Sequence, residues 1–189
     1  VGASGYTGEE LLRLLSRHEG VEVTAVTSRQ RAGETLSRVR GLSSKLRMLT
    51  FEDLSIDVLV ERADVFFLTL PHGVAAEFAV PLLEAGKVVI DLSADFRLKN
   101  PSVYHEFYGK EHPAADLLKE SVYALPEVYR QQFTSKRLFA CPGCYPTSVL
   151  LPLIPLLRDG VITREDIVVN SLSGVSGAGK KADILYSFC

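Results

Sequence analysis

The sequence has few cysteines, one methionine and no tryptophan. Three cysteines among 189 residues is an odd and low number, which fits a reducing compartment better than a scaffold held by disulfides. No apolar run approaches the roughly 18 residues that a membrane helix needs. No secretory signal pattern opens the chain. We therefore expect a cytoplasmic protein that does not bind membranes.

An excess of charge of one sign is also lacking. Lysine and arginine number 21 and aspartate and glutamate 23, which gives a net charge of −2 without any block rich in basic residues. This balance argues against nucleic acid as a partner. The 47% of apolar residues and 23% of charged residues are ordinary for a globular protein, with enough chain for one domain and part of another.

Strand and helix patterns alternate along the chain. Continuous apolar runs at residues 64–70 and 87–92 are typical of buried parallel strands, and further strands are predicted at 21–26, 137–140 and 167–172. Helices are predicted at residues 9–18, 74–85 with a bend at Pro81, and 145–157, and loops at 31–46 and 97–120. The alternation predicts an α/β fold with a Rossmann-type parallel sheet.

Three glycines with the spacing G-x-x-G-x-x-G precede the first predicted helix. Glycines here let the backbone turn tightly and approach a pyrophosphate, which the N–H groups at the start of the helix can bind. The alternative is a glycine-rich turn that only caps the helix. We predict cofactor contacts from this segment, made by Gly2, Ser4, Gly5, Tyr6, Thr7 and Gly8.

The loop after the second predicted strand, Thr27-Ser-Arg-Gln-Arg31, contains no carboxylate. An acidic residue there would bind the ribose 2′-OH of NAD, whereas an arginine meets the 2′-phosphate of NADP. Ser28 can donate a hydrogen bond and Arg29 can supply positive charge. The loop therefore predicts NADP as the cofactor, and the alternative is a solvated pair of arginines.

Two loops follow the next two buried strands, at the sheet edge where ligands bind in open α/β sheets. Pro71 and His72 are predicted to approach the nicotinamide, unless they form an exposed turn. Ser93 and Arg97, within the polar stretch 91–97, are predicted to contact the substrate, unless these polar groups are merely solvated.

Cys141 and Cys144 form a C-x-x-C between a predicted strand and a predicted helix. A dithiol pair opening a helix is one interpretation. A zinc site needs two more ligands, and neither Cys189 nor His105 and His112 form a second recognisable pair, so we predict no metal. A single thiol beside a nicotinamide predicts thioester formation followed by reduction to an aldehyde.

Five motifs resemble, in content and order, those of the N-acetyl-gamma-glutamyl-phosphate reductases. They are GASGYTG (2–8), LPHG (70–73), DLSADFRL (91–98), PGCYPTS (142–148) and SGVSGAG (173–179). The resemblance implies an NADP-binding Rossmann domain at residues 1–140, with its first strand truncated. It also implies the start of an incomplete α+β substrate domain, like that of glyceraldehyde-3-phosphate dehydrogenase, at residues 141–189.

The resemblance implies a reaction as well. This is the NADPH-dependent reduction of N-acetyl-glutamyl phosphate to the semialdehyde, with release of phosphate, in arginine biosynthesis. Cys144 is implied as the nucleophile, and a glycine loop between cofactor and substrate is implied at Ser173, Gly174 and Gly177. Family members are cytoplasmic in bacteria and usually oligomeric, so we expect a homo-oligomer that acts on a small acyl phosphate.

The sequence departs from the family pattern in two places. The family usually has asparagine where this chain has Cys141, so Cys141 is interpreted as a neighbour of the working thiol, with a reversible disulfide left open. None of His18, His72, His105 and His112 matches the motif of the family's catalytic histidine, so we expect these 189 residues alone to be almost inactive.

Three other functions stay open at the level of the sequence. A sister reductase acting on aspartyl or aminoadipyl phosphate would share the chemistry. A redox module would use the two thiols as a pair, and a sensor domain would bind NADP without catalysis.

Overall fold

A computed structural model describes residues 1–180. Its strands are β1 (Val65–Leu68), β2 (Val88–Asp91), β3 (Val122–Tyr123) and β4 (Leu138–Ala140). They form one parallel sheet in the order β1-β2-β4-β3. The described helices are α1 (Tyr6–Leu15), α2 (Ser44–Arg47), α3 (Ile56–Arg62), α4 (Ala75–Glu84), α5 (Pro101–Tyr108), α6 (Leu117–Glu120), α7 (Pro126–Tyr129) and α8 (Cys144–Arg158). The predicted α/β class with a parallel sheet is confirmed.

The centre of the sheet is apolar on both faces, as the continuous runs predicted. Leu68, Val89 and Ala140 are completely buried on three neighbouring strands. Helix α4 packs on this part of the sheet through Ala79 and Leu82, which are also completely buried. Burial of these side chains is the main favourable term for this layer.

The predicted helices are present with shifted ends. Helix α1 begins at Tyr6 and ends at Leu15, so it starts and stops earlier than the predicted 9–18. Helices α4 and α8 match the predictions at 74–85 and 145–157 closely. Pro152 and Pro155 lie inside α8 without ending it. No helix among residues 1–180 is long and apolar enough to cross a bilayer.

Backbone pairing continues past β1 through short extended segments. Thr69 N donates to Val1 O at 2.9 Å, and Ala3 N donates to Thr27 O at 2.9 Å. Beyond them Thr27 bridges Glu52 in parallel. The glycine segment therefore emerges between β1 and Thr27, where the order of connection along the sheet reverses and α/β folds bind ligands.

The strand predicted at residues 21–26 is wrong for most of its length. Only Val26 joins the pairing, by accepting a hydrogen bond from Glu52 N at 2.9 Å. Residues 21–25 instead line a cavity of about 470 Å³, which Val65 and Phe67 line as well. Residues 21–25 pair with no strand among residues 1–180, and Val21 N donates instead to the nearby His18 O at 3.4 Å, so the apolar pattern alone does not make a strand.

The strand predicted at 167–172 is also wrong. These residues form no strand, and Val168 and Leu172 are 88% and 98% exposed. No strand among residues 1–180 lies alongside them to complete a ladder.

The segment predicted as a loop at 97–120 contains helices α5 and α6. Asn100 caps α5 by accepting a hydrogen bond from Ser102 N, Pro101 occupies the first turn, and Gly109 ends the helix in the left-handed conformation. Tyr104 and Leu118 are completely buried, so the segment is anchored in the core. The loop predicted at 31–46 likewise contains a 3-10 turn (Leu36–Arg38) and the start of α2.

Candidate active site

The three glycines before α1 have three different surroundings. Gly2 has φ +78°, and a Cβ on it would lie 2.9 Å from Thr69 O. A Cβ on Gly8 would lie 2.5 Å from Ala3 Cα, so this glycine lets the helix pack directly on the strand. A Cβ on Gly5 would meet nothing within 4 Å. Gly5 therefore faces open space, where a ligand can approach the backbone.

The start of α1 offers free hydrogen-bond donors beside Gly5. The first backbone N–H of the helix with an acceptor is that of Glu9, which donates to Gly5 O at 3.0 Å. The N–H groups of Tyr6, Thr7 and Gly8 have no acceptor among residues 1–180. Together with the positive end of the helix dipole they form an anion-binding site suited to a phosphate group.

The loop after Thr27 lies against the glycine segment. Ser28 Oγ donates to Ser4 Oγ at 2.9 Å and accepts from Arg31 N at 3.3 Å. Arg29 is largely exposed, and its Nε lies 3.8 Å from an Asp53 carboxylate oxygen. Of the two predicted residues, Ser28 is buried against the glycine segment, whereas the ion pair of Arg29 is with Asp53.

Arg31 is a basic residue of this loop that the sequence analysis did not select. Its Nη1 lies 3.4 Å from Glu9 Oε1 on α1, and its guanidinium carbon lies 4.7 Å from the centre of the Phe51 ring. Arg31 Nε also donates to Glu34 Oε2 at 3.0 Å, and these contacts fix the guanidinium beside the start of α1. The loop quoted from the sequence contained this arginine, but only the fold brings it to the helix.

The second glycine segment reaches the first through Lys180. Its Nζ donates to Ser4 O at 2.8 Å and lies 2.5 Å from Glu9 Oε1. Ser173, Gly174 and Gly177, which the sequence analysis selected, are exposed in the turn that leads to Lys180.

The loops that follow β1 and β2 are joined by hydrogen bonds in both directions. The Asp95 carboxylate accepts from Gly73 N at 2.6 Å and from Ala75 N at 3.1 Å. In return, Ala94 N donates to His72 Nδ1 at 2.9 Å. His72 is exposed, so its free ring edge faces outward next to Pro71 at the carboxyl end of β1.

Ser93, a predicted substrate contact, is only 2% exposed. Its hydroxyl donates to Asp91 Oδ2 at 2.8 Å and accepts from Asp95 N at 3.1 Å, and its own N–H donates to Asp91 Oδ1 at 2.9 Å. The side chain therefore lies behind the open face and supports the loop.

Arg97, the other predicted substrate contact, ties the β2 loop to the cysteine loop. Its Nε donates to Cys141 O at 2.7 Å and its Nη2 donates to Leu92 O at 3.0 Å. Its Nη1 lies 3.2 Å from where a Cβ on Gly143 would be. One edge of the guanidinium is thus directed at the turn that carries the nucleophile candidate.

The two cysteines of the C-x-x-C differ in their surroundings. Cys144 is exposed and is the first residue of α8, whereas Cys141 is partly buried at the end of β4. Burial raises the pKa of the Cys141 thiol to about 11, the Asp91 charge adds to this rise, and Arg97 opposes it. Cys141 is therefore protonated at neutral pH and is not suited to be the attacking thiol. Cys189 lies outside the described residues.

Asp91 gives a prediction of pH-dependent stability. Burial raises its pKa from 3.8 to about 6, Asp95 adds to the rise, and the Ser93 hydrogen bonds and Arg97 oppose it. The folded state therefore binds this proton more tightly than the unfolded state, and stability falls as pH rises from about 4 to about 6. Above pH 6, ionisation of this buried carboxylate lowers the free energy of unfolding by about 3 kcal/mol.

We expect the Asp91→Asn variant to gain stability relative to wild type across that same window. Urea unfolding at pH 4.5, 5.5 and 7 measures the difference in the free energy of unfolding. A difference that does not change with pH would show that Asp91 ionises normally.

These features define a class of protein. A parallel sheet with a glycine segment and an anion-binding helix start at its switch point is a dinucleotide-binding α/β domain of the Rossmann class. The family follows from comparison with known proteins. Residues 1–136 match the NAD-binding domain of semialdehyde dehydrogenase, and residues 144–189 match the semialdehyde dehydrogenase dimerisation domain. The chain belongs to the semialdehyde dehydrogenase family.

Two curated relatives are similar to this chain over nearly its whole length. N-acetyl-gamma-glutamyl-phosphate reductase of Akkermansia muciniphila is 53% identical and aligns with 100% of this chain and 55% of its own length. A LysW-L-2-aminoadipate/LysW-L-glutamate phosphate reductase of Nitrosopumilus maritimus is 46% identical, over 95% of this chain and 51% of its own. The chain therefore spans about half the length of the curated relatives it matches.

A solved structure has the same fold. Aspartate semialdehyde dehydrogenase with NADP from Candida albicans superposes with a TM-score of 0.61 at 19% identity, over 84% of this chain and 45% of that one. Among residues 1–180, no group of three or more histidine, cysteine or acidic side chains is placed to hold a metal ion.

Proposed function

We propose that the complete reading frame containing this sequence encodes an NADPH-dependent N-acetyl-gamma-glutamyl-phosphate reductase. It reduces the acyl phosphate to the semialdehyde and releases phosphate, in arginine biosynthesis. The observation that carries the proposal is an exposed thiol, Cys144, at the start of α8 and at the same sheet edge as the open glycine segment. The 53% identity to the Akkermansia muciniphila reductase supports the choice of substrate.

The described residues fit NADP. Gly5 leaves room for the pyrophosphate, and the N–H groups of Tyr6, Thr7 and Gly8 can bind it. Arg29 is largely exposed in the loop after Thr27 and Arg31 lies beside α1, and these two guanidinium groups would hold the 2′-phosphate. When bound, NADPH supplies the hydride.

Cys144 carries the covalent chemistry in this proposal. Its thiolate attacks the acyl carbon, the bond from that carbon to the phosphate oxygen breaks, and inorganic phosphate leaves. The thioester carbon then accepts the hydride, after which the carbon–sulfur bond breaks and releases the aldehyde and the thiolate. Backbone N–H groups at the start of α8 can stabilise the oxyanion in both steps.

Arg97 would act on the leaving group. Two of its nitrogens are held by Cys141 O and Leu92 O, which fixes the plane of the guanidinium. Nη1 has no acceptor among residues 1–180 and points towards the turn before Cys144. A fixed guanidinium with a free N–H suits a phosphate oxygen.

The wider predictions stay proposals. They are a domain boundary at residues 140/141, a cytoplasmic location, a homo-oligomer, and little activity from these 189 residues alone. A further proposal is that the substrate is a small acyl phosphate.

The direct test follows NADPH formation from N-acetylglutamate semialdehyde by the product of the complete reading frame. Assays with and without phosphate, and with NAD in place of NADP, separate the possibilities. Turnover that needs both phosphate and NADP is the expected result. A folded protein that binds NADP but shows no turnover would contradict the reductase and favour a sensor domain.

A sister substrate is the second candidate, because the Nitrosopumilus maritimus relative is named for aminoadipate and glutamate phosphates. The same assay with aspartate semialdehyde and with aminoadipate semialdehyde tests it. A higher kcat/KM for either compound than for N-acetylglutamate semialdehyde would replace the first proposal.

The glycine segment gives a paired prediction. We expect Gly8→Ala to lower the free energy of unfolding by about 2 kcal/mol or more, because the new methyl overlaps Ala3 backbone atoms at 2.5 Å. We expect Gly5→Ala to leave stability unchanged and to weaken NADP binding at least about 10-fold, because the methyl occupies the pyrophosphate approach.

Thermal unfolding and fluorescence titration with NADPH measure the two effects on both variants. A stable Gly8→Ala protein would contradict the packing argument. Unchanged NADPH affinity in Gly5→Ala would place the cofactor elsewhere.

A further inference from the structure

Asp95 is a buried carboxylate whose position calls for an explanation. It is 1% exposed, and no lysine or arginine among residues 1–180 forms an ion pair with it. A buried charge without an ion pair is costly unless it is well hydrogen-bonded. Its acceptors are filled by two backbone N–H groups, those of Gly73 and Ala75, at the start of α4.

These hydrogen bonds fix the shape of the turn after β1. Gly73 has φ +84°, so the chain reverses sharply between Pro71 and α4. The Asp95 carboxylate holds the N–H groups on the far side of that turn, while the neighbouring Ala94 N holds the His72 ring. The direction of the His72 side chain is therefore set by the β2 loop.

The same aspartate is also connected towards the nucleophile. Asp95 N donates to Ser93 Oγ, and Ser93 is held by Asp91 at the end of β2. From this loop Arg97 donates to Cys141 O, three residues before Cys144. The β2 loop is thus hydrogen-bonded both to the His72 turn and to the loop of the thiol, where Cys141 N also donates to Asp91 O at 2.8 Å.

The wall behind Asp95 is aromatic and closed. Tyr104 is completely buried and its ring centre lies 4.7 Å from that of His112, which packs on Phe96 at 5.2 Å. Burial raises the pKa of Tyr104 to about 12, and the charge of nearby Asp95 contributes to the rise. Within residues 1–180, Tyr104 OH and His112 Nε2 are buried and have no hydrogen-bond partner. Asp95 is therefore bordered by a buried aromatic cluster on the side away from the turn.

We propose that Asp95 is a positioning residue, which aligns the His72 turn with the Cys144 loop so that the nicotinamide lies against the thiol. This proposal rests on the proposed function, because it assumes that NADPH and an acyl group meet at Cys144. Asp95 itself does not touch the substrate or the cofactor.

The test compares Asp95→Asn with a matched control, Asn100→Ala. Both changes remove hydrogen bonds from a side chain to the start of a helix, but Asn100 caps α5 and has no link to the cysteine loop. We expect kcat to fall about 10- to 100-fold in Asp95→Asn, with KM for the acyl substrate nearly unchanged. The control should keep wild-type kinetics even if its melting temperature falls.

Two further measurements do not need turnover. Hydrogen exchange at the amides of Gly73 and Ala75 should be faster in Asp95→Asn. Bound NADPH should slow the alkylation of Cys144 by iodoacetamide in wild type and in the control, as measured by mass spectrometry of the Cys144 peptide. This protection should be lost in Asp95→Asn at saturating NADPH.

The possible results distinguish failure of the positioning role from failure of the proposed reaction. Wild-type kcat and full NADPH protection in Asp95→Asn, despite faster exchange at Gly73, would overturn the positioning role. An inactive wild type whose Cys144 is still protected by NADPH would contradict the proposed reaction while leaving the alignment supported. If Asp95→Asn does not fold, Ser93→Ala can replace it, because it removes the hydrogen bond from Asp95 N to Ser93 Oγ. We then expect a smaller fall in kcat and a partial loss of NADPH protection. Wild-type values of both in Ser93→Ala would overturn the proposal.

Discussion

Replacing Cys144 by serine is expected to reduce phosphate-dependent turnover by about 10⁴-fold or more, since it removes the proposed nucleophile of the covalent step. Serine has nearly the same shape, and Cys144 is exposed at the first position of α8, so the fold should tolerate the change. NADPH affinity should stay at the wild-type value, because the glycine segment is untouched. The measurement is NADPH formation from the semialdehyde, with a fluorescence titration beside it.

Cys141 provides the matched control within the same loop. We expect Cys141→Ser and Cys141→Asn to keep activity within a few-fold of wild type, because a protonated, partly buried thiol takes no part in acyl transfer. A dithiol mechanism gives the opposite result, with both cysteine variants inactive. Activity that survives in Cys144→Ser would remove Cys144 from the mechanism altogether.

Replacing Arg97 by lysine should lower kcat/KM about 100-fold, mainly through weaker binding of phosphate in the reverse direction. An ammonium group cannot reproduce the planar set of donors that holds Cys141 O and Leu92 O while one edge stays free. The loop that carries Cys144 would lose its support, and the phosphate would lose its partner. Initial rates at varied phosphate concentration measure the effect.

Arg137→Lys controls for the general cost of removing an arginine. Arg137 also donates to a backbone oxygen, that of Leu83 at 2.7 Å, but it precedes β4 at the opposite edge of the sheet. Its variant should keep the wild-type KM for phosphate. Equal losses in the two variants would show that Arg97 is structural only.

The sequence predicts the centre of the fold well, because continuous apolar runs leave few alternatives. Strands β1, β2 and β4 lie within the predicted runs at 64–70, 87–92 and 137–140. Residues 21–26 and 167–172 have a similar pattern but form no comparable strand, because a strand also needs a neighbouring backbone. A pattern along one segment contains no information about that neighbour.

Helix α5 was predicted as part of a loop for a different reason. Asn100, Pro101 and Gly109 are the start and stop signals of a short helix, and all three can be read in the sequence. The polar residues between them favoured a surface loop, although Tyr104 is completely buried. Here the capping residues were better evidence than the average polarity.

The loops that form the candidate site could be predicted from the sequence, but their hydrogen bonds could not. Parallel strands place the turns at Gly5, His72, Arg97 and Cys144 at one edge, and the motifs identify those turns. Which side chains remain open depends on tertiary hydrogen bonds. Ser93 looked available in the sequence but is occupied by Asp91, whereas Arg31 contacts Glu9 on α1 only in the folded chain.

The surroundings of the three glycines also bear on how such a domain can change over evolutionary time. At Gly2 and Gly8 the limit on side-chain size comes from the polypeptide itself, so it persists in any descendant that keeps this contact between strand and helix. At Gly5 no described atom lies within 4 Å of a Cβ, so the only limit there is the proposed approach of the cofactor. A descendant that lost its coenzyme but kept its fold would be free to vary at Gly5 while staying constrained at Gly2 and Gly8. A larger residue at Gly5 alone would then indicate that coenzyme binding had been lost.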